Sequence, residues 1–71
     1  MIFRFNKYHG TGNDFIIADN RDSSFKPNQE IIKRLCDRYL AIGADGLILL
    51  QKHEDLDFEM KYYNSDGYEA I

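Results

Sequence analysis

The sequence predicts an α/β fold of the α+β kind, with elements in the order β-β-α-β-β, and three observations carry that prediction. Short apolar segments, alternating or unbroken, read as strands; one stretch repeats its apolar residues at helical spacing; and three polar, glycine-bearing turns punctuate the rest. Each turn pairs Asn with Asp or Asp with Gly, at Asn13-Asp14, at Asp45-Gly46, and at Asn64 with Asp66-Gly67. Turns of this kind, gathered at one edge of a sheet, are a common way to build a site.

From Ile2 to Tyr8 the chain alternates, with Phe3 and Phe5 on one face and Arg4 and Asn6 on the other, the period of a half-buried strand. The first turn follows, and then Phe15-Ile16-Ile17-Ala18, apolar without alternation, predicts a strand covered on both faces. Asp19 to Ser24 is a polar loop. The helix is expected from Asn28 to Tyr39: Pro27 suits its entrance, Asn28 its N-cap, and Ile32, Leu35, Cys36 and Tyr39 form one apolar stripe. Glu30 can pair with Arg34 one turn on, Arg38 lies near the negative end of the helix dipole, and Gly43 is the expected stop. Gly43-Ala44-Asp45-Gly46 turns into the strand Leu47-Ile48-Leu49-Leu50. After a solvated loop, Phe58, Met60 and Tyr62 alternate with Glu59 and Lys61 to predict a strand with one wet face. Tyr63-Asn64-Ser65-Asp66-Gly67 is the third turn, and Tyr68-Glu69-Ala70-Ile71 opens a fifth strand that is not completed.

Seventy-one residues make one small domain at most. A chain of this size buries roughly 60% of its unfolded surface, so its core is marginal without a disulfide, a metal or a partner surface. A hydrophobic share of 44% is nevertheless too high for disorder. The net charge is −3, with cations scattered rather than clustered, which argues against nucleic acid as a partner. The longest apolar run, Leu47 to Leu50, falls far short of the ~20 residues that span a bilayer, so no membrane role is expected. The single cysteine, Cys36, cannot form an internal disulfide, which points to a reducing, cytoplasmic setting.

The first turn, His9-Gly10-Thr11-Gly12-Asn13-Asp14-Phe15, has the strongest claim to chemistry. Glycines one residue apart allow positive φ and close approach, and consecutive N–H groups in such a turn can hold an anion such as a carboxylate. Alone, the same Gly-x-Gly is equally an ordinary hairpin loop. His9 reads as a structural hydrogen-bonder at a strand end, His53 as solvent-facing, and Asp45 and Asp66 as caps of their own turns. No metal-ligand spacing is present.

Taken together, His9 to Phe15, then Leu35-Cys36-Asp37-Arg38 leading to Gly43-Ala44-Asp45-Gly46-Leu47, then Tyr63 to Gly67, resemble the amino-terminal part of diaminopimelate epimerases in order and spacing. The resemblance runs from Phe5 to Gly67. It implies a mixed, mostly antiparallel sheet curled around the helix, one half of a two-domain, pseudo-symmetric fold, with residues 1–71 a partial amino-terminal domain. It also implies inversion of one α-carbon of LL-diaminopimelate to the meso isomer, on the route to lysine and peptidoglycan, with no cofactor and no metal. In such enzymes one cysteine thiolate removes the α-proton and a second thiol returns a proton to the opposite face. The first of these lies in a Cys-Gly-Asn-Gly run beyond the third turn, so no catalytic residue is expected within residues 1–71, and the segment alone is expected to be inactive. Cys36 matches neither position and falls on the buried stripe, where free cysteine is at home.

Two substrate-contacting positions carry over, Asn13 and Asn64. An amide suits an amino acid because its oxygen accepts from the ammonium and its nitrogen donates to the carboxylate. At the third position many relatives carry Gln, whereas here Gly46 offers only backbone. The full-length protein is expected to be a homodimer, and the bare segment, with open strand edges and an uncovered apolar face, is expected to self-associate. Two other functions fit the same residues: a related racemase acting on proline derivatives or histidine, and a non-catalytic module that binds carboxylated ligands or a partner.

Overall fold

The computed structural model describes residues 4–23 and 25–70. The expected strand start at Ile2 and Phe3, Ser24 of the polar loop, and Ile71 lie outside the described residues. Five elements follow the expected order: β1 (Phe5–Gly10), β2 (Asn13–Asp19), α1 (Gln29–Cys36), β3 (Gly46–Gln51) and β4 (Glu59–Asn64). They build one four-stranded sheet in sequence order, antiparallel between β1 and β2 and between β3 and β4, and parallel between β2 and β3. The parallel step follows from the helix, since a strand can return to run beside its predecessor in the same direction only through a crossover. Of the fifth strand a single bridge remains, Tyr63 to Glu69.

The helix lies on one face of the sheet. Ile16 and Ala18 of β2, Leu47 and Leu49 of β3 and Tyr63 of β4 meet Ile32 and Cys36 of α1, with Phe25 and Ala44 closing the sides. Ile16, Ile32, Leu47 and Leu49 are fully buried, each worth roughly 1.5–3 kcal/mol relative to exposure. Asn20 is a buried exception in the loop that was expected to be simply polar. Its Nδ2 donates to the Phe25 carbonyl and to Gln51 Oε1, both at 2.9 Å, and its Oδ1 accepts from the Phe25 N–H at 2.9 Å. The loop is thereby pinned to the far end of β3.

The helix begins as expected, with the Asn28 side chain accepting from the Ile31 N–H at 2.9 Å. It ends at Cys36, three residues short of Tyr39. Asp37 leaves the helical region (φ −72°, ψ 123°), and its carboxylate accepts from the N–H groups of Tyr39 (2.8 Å) and Leu40 (3.0 Å), a local turn that competes with the helix. Gly43, at φ +81°, and Ala44 then cap from a distance, donating to the carbonyls of Leu35 (2.9 Å) and Cys36 (3.0 Å). Tyr39 is consequently 98% exposed and leaves the apolar stripe. Glu30 and Arg34 form no ion pair among the described residues.

Two face assignments also change. β2 is covered on one face only: Ile16 and Ala18 are buried, but Phe15 and Ile17 are half-buried, because the helix packs on the other face of the sheet. In β4 the sides are reversed. The ladder sets Lys61 beside Leu49 and Tyr63 beside Leu47 on the helix side, leaving Met60 64% exposed on the other. Alternation reports two faces without saying which one a neighbour will cover. No helix among the described residues is long and apolar enough to cross a membrane.

Candidate functional site

All three turns meet at one end of the sheet. The ladder places Phe15, Gly46 and Asn64 side by side in one row, while Asn13 begins β2 two residues before Phe15. Residues directly opposite across a ladder share a face, as do residues two apart along a strand. Asn13 and Asn64 therefore share a face, the one opposite the helix, at the same end. Two strand spacings across and two residues along put their Cα atoms roughly 12 Å apart. Both residues are exposed, and neither amide side chain has a hydrogen-bond partner among the described residues. They do not satisfy their own turns.

The first turn owes its shape to two positive φ values, Thr11 at 50° and Gly12 at 83°, the combination that a two-residue hairpin loop requires. An ideal Cβ on Gly12 meets nothing within 4 Å, so this glycine serves backbone conformation rather than close approach. Gly67 of the third turn, at φ +93°, serves both, for a Cβ there would run into the carbonyl of Gln29 at the start of the helix. The same junction is fastened by Gln29 Nε2 donating to the Asp66 carbonyl at 2.7 Å, and the Asp66 side chain caps its turn by accepting from the Tyr68 N–H at 3.0 Å.

On the helix side, a charged cluster joins the first turn to the second. Asp14 is 7% exposed. Its carboxylate accepts both arms of the Arg38 guanidinium (2.8 and 3.0 Å), pairs with Lys7 Nζ (3.1 Å) and accepts from the Asp45 N–H (3.1 Å). In return, the Asp14 N–H donates to Asp45 Oδ2 at 3.0 Å. The Arg38 guanidinium, with Lys7 and the Asp45 amide behind it, outweighs the opposing effect of burial and holds the Asp14 carboxyl far below the usual carboxylate range. Arg38 was expected to serve the helix dipole; once the helix ends at Cys36, it reaches Asp14 instead. The sequence carried one signal for this pairing, a carboxylate on the inward parity of an otherwise apolar strand, which calls for a cation.

The remaining expected residues are dispersed. Cys36 is 4% exposed, and burial, reinforced by the negative charge of Asp14, pushes its thiol upward, away from thiolate chemistry. His9 is exposed opposite Asp14 in the ladder and makes no side-chain hydrogen bond among the described residues, so the structural role expected of it is not fulfilled. His53 is half-buried rather than solvent-facing, and its Nδ1 accepts the Asp55 N–H at 3.1 Å to close the loop. Gly46 is buried in the floor between the two amide-bearing strands.

The family model for diaminopimelate epimerase matches residues 5–71. A diaminopimelate epimerase of Flavobacterium psychrophilum is 58% identical over 65 residues, covering 90% of this chain and 25% of the relative. Those of Chlorobaculum tepidum and Alkaliphilus metalliredigens are 51% and 45% identical, covering 83% and 99% of this chain and 23% and 25% of the relatives. The chain thus spans about a quarter of the length of the curated relatives it matches. With nearly every residue inside the family match, this chain belongs to the diaminopimelate epimerase family.

Proposed function

We propose that residues 1–71 form part of the amino-terminal domain of a cofactor-independent epimerase that converts LL-diaminopimelate to meso-diaminopimelate, and that Asn13 and Asn64 hold the substrate. The observation that supports this most is their placement: two exposed amides without partners among the described residues, on one face and at one end of the sheet. Each can accept from an ammonium and donate to a carboxylate.

The chemistry at the α-carbon is a proton exchange between faces. A thiolate takes the α-proton, the electron pair stays on carbon and spreads into the carboxylate, and a thiol on the opposite side returns a proton. Both thiols are assigned to segments that do not belong to residues 1–71, since Cys36 is enclosed in the core. The contribution of this segment is to orient the substrate and to place donors where negative charge accumulates. A cytoplasmic setting fits a chain whose one thiol is buried and unpaired, and a homodimer is what the family resemblance implies.

The test joins residues 1–71 to the remaining three quarters of the Flavobacterium psychrophilum relative. Exchange of the α-proton of LL-diaminopimelate is then followed in deuterated water. The joined enzyme is expected to exchange, and Asn13→Ala or Asn64→Ala is expected to slow exchange about 10- to 100-fold, the worth of a hydrogen bond to a charged group. A folded joined enzyme that exchanges no diaminopimelate, or amide variants as active as the parent, overturn the reading.

A further inference from the structure

A hydroxyl stands between the two amides. Tyr62 of β4 lies opposite Ile48 in the ladder, on the same face as Asn13 and Asn64. Its ring leans out of its own row to meet Phe15 of β2 edge-on, with centroids 5.5 Å apart and planes at 67°. To reach from β4 to β2 the ring must pass over β3, and it passes over Gly46. An ideal Cβ at that position would stand 2.7 Å from the Tyr63 carbonyl oxygen, which is backbone and cannot yield, and 2.9 and 3.1 Å from Tyr62 Oη and Cζ. The Tyr63 backbone keeps position 46 free of a side chain, and the Tyr62 ring lies over the space so left.

This geometry fixes Oη above the first residue of β3, flanked in the same row by Asn64 and Phe15, with Asn13 one step nearer the end of the sheet. The ring is half-buried, yet Oη has no hydrogen-bond partner among the described residues. Tyrosine hydroxyls in such partly enclosed positions usually find one. Three polar groups, two amides and a phenol, thus converge without partners among the described residues, while on the opposite face the Asp14 carboxylate is fully engaged.

We propose that the Tyr62 hydroxyl is a third substrate-binding group of this face, donating to a carboxylate of the bound amino acid in the place that a side chain at position 46 would otherwise take. A phenol is suited to the task, because it donates one strong hydrogen bond from a rigid ring already held by Phe15. The inference rests on the reading of this face as the substrate side.

The experiment uses the joined enzyme with LL-diaminopimelate as the probe and reads KM, kcat and thermal melting. Tyr62→Phe keeps the ring against Phe15 and removes only the hydroxyl. It is expected to raise KM about tenfold, with a smaller change in kcat and an unchanged melting temperature. Tyr62→Leu, which also removes the ring, is expected to raise KM at least as far. If Tyr62→Phe keeps the KM of the parent, the hydroxyl does not bind substrate and the inference is overturned while the epimerase reading stands. If the folded parent itself exchanges no diaminopimelate, the reading falls and takes the inference with it.

Discussion

Asn13 and Asp14 are consecutive residues of β2, yet one presents to solvent an amide with no partner among the described residues and the other is buried among cationic and backbone donors. The pleat of the strand separates them, sending one side chain to the open face and the next to the helix side. The contrast teaches how two neighbouring residues of one strand can be given opposite duties, one closing the fold and the other left open to whatever binds. On the inward face, Asp14, Arg38 and Asp45 tie two turns together. On the outward face, the groups that would meet a ligand are left unsatisfied.

That division can be broken first at Asp14. Replacing it with Ala leaves Arg38, Lys7 and the Asp45 amide without their common acceptor, and in the joined enzyme the melting temperature is expected to fall on the order of 10 °C, the largest loss of the series. Next is Gly67→Ala, where positive φ and a collision with the Gln29 carbonyl combine to cost about 2–3 kcal/mol in denaturant unfolding. Gly12→Ala is its control, with the same backbone region but open space around the new methyl, and should cost about 1 kcal/mol.

Acidity sharpens the comparison further. A carboxyl whose folded value lies below its unfolded value of 3.8 contributes stability that is complete above about pH 4 and is lost as pH falls toward the folded value. Asp14→Asn should therefore flatten the dependence of stability on pH below 4. Asp19 is held at about 2 by the Arg21 guanidinium, which places its window between 3.8 and about 2. That pair is half-exposed and screened by solvent, so Asp19→Asn should change the slope far less, and scarcely at all in high salt. The smallest effects on stability belong to Asn13→Ala and Asn64→Ala, whose melting curves should overlay the parent while exchange slows. A melting shift as large as that of Asp14→Ala would show that the two faces are not separate in function.

Much of this was legible in the sequence. Helical spacing and the Asn28 cap located the helix start, apolar runs located the strands, and three glycine turns marked the end of the sheet where Asn13 and Asn64 lie. The helix end was not legible, because Asp37 reads as an ordinary surface residue until its carboxylate is seen capping Tyr39 and Leu40. The inward side of β4 was hidden for a related reason: Phe58, Met60 and Tyr62 outweigh Tyr63 in apolar count, but only Tyr63 lies beneath the helix. Tyr62 escaped notice because its position depends on the absence of a side chain on a different strand, a relation that no periodicity records.

The two-residue loop at Thr11 and Gly12 has a consequence for evolution. It sets the register of β2 against β1, so a change of its length would either be absorbed as a bulge or exchange the faces of Asn13 and Asp14. In the second case an amide would enter the ionic cluster, and a carboxylate would stand beside Asn64 on the open face. Substitution at this corner leaves the register alone, whereas a change of length puts the ionic cluster and the open-face amide at risk together.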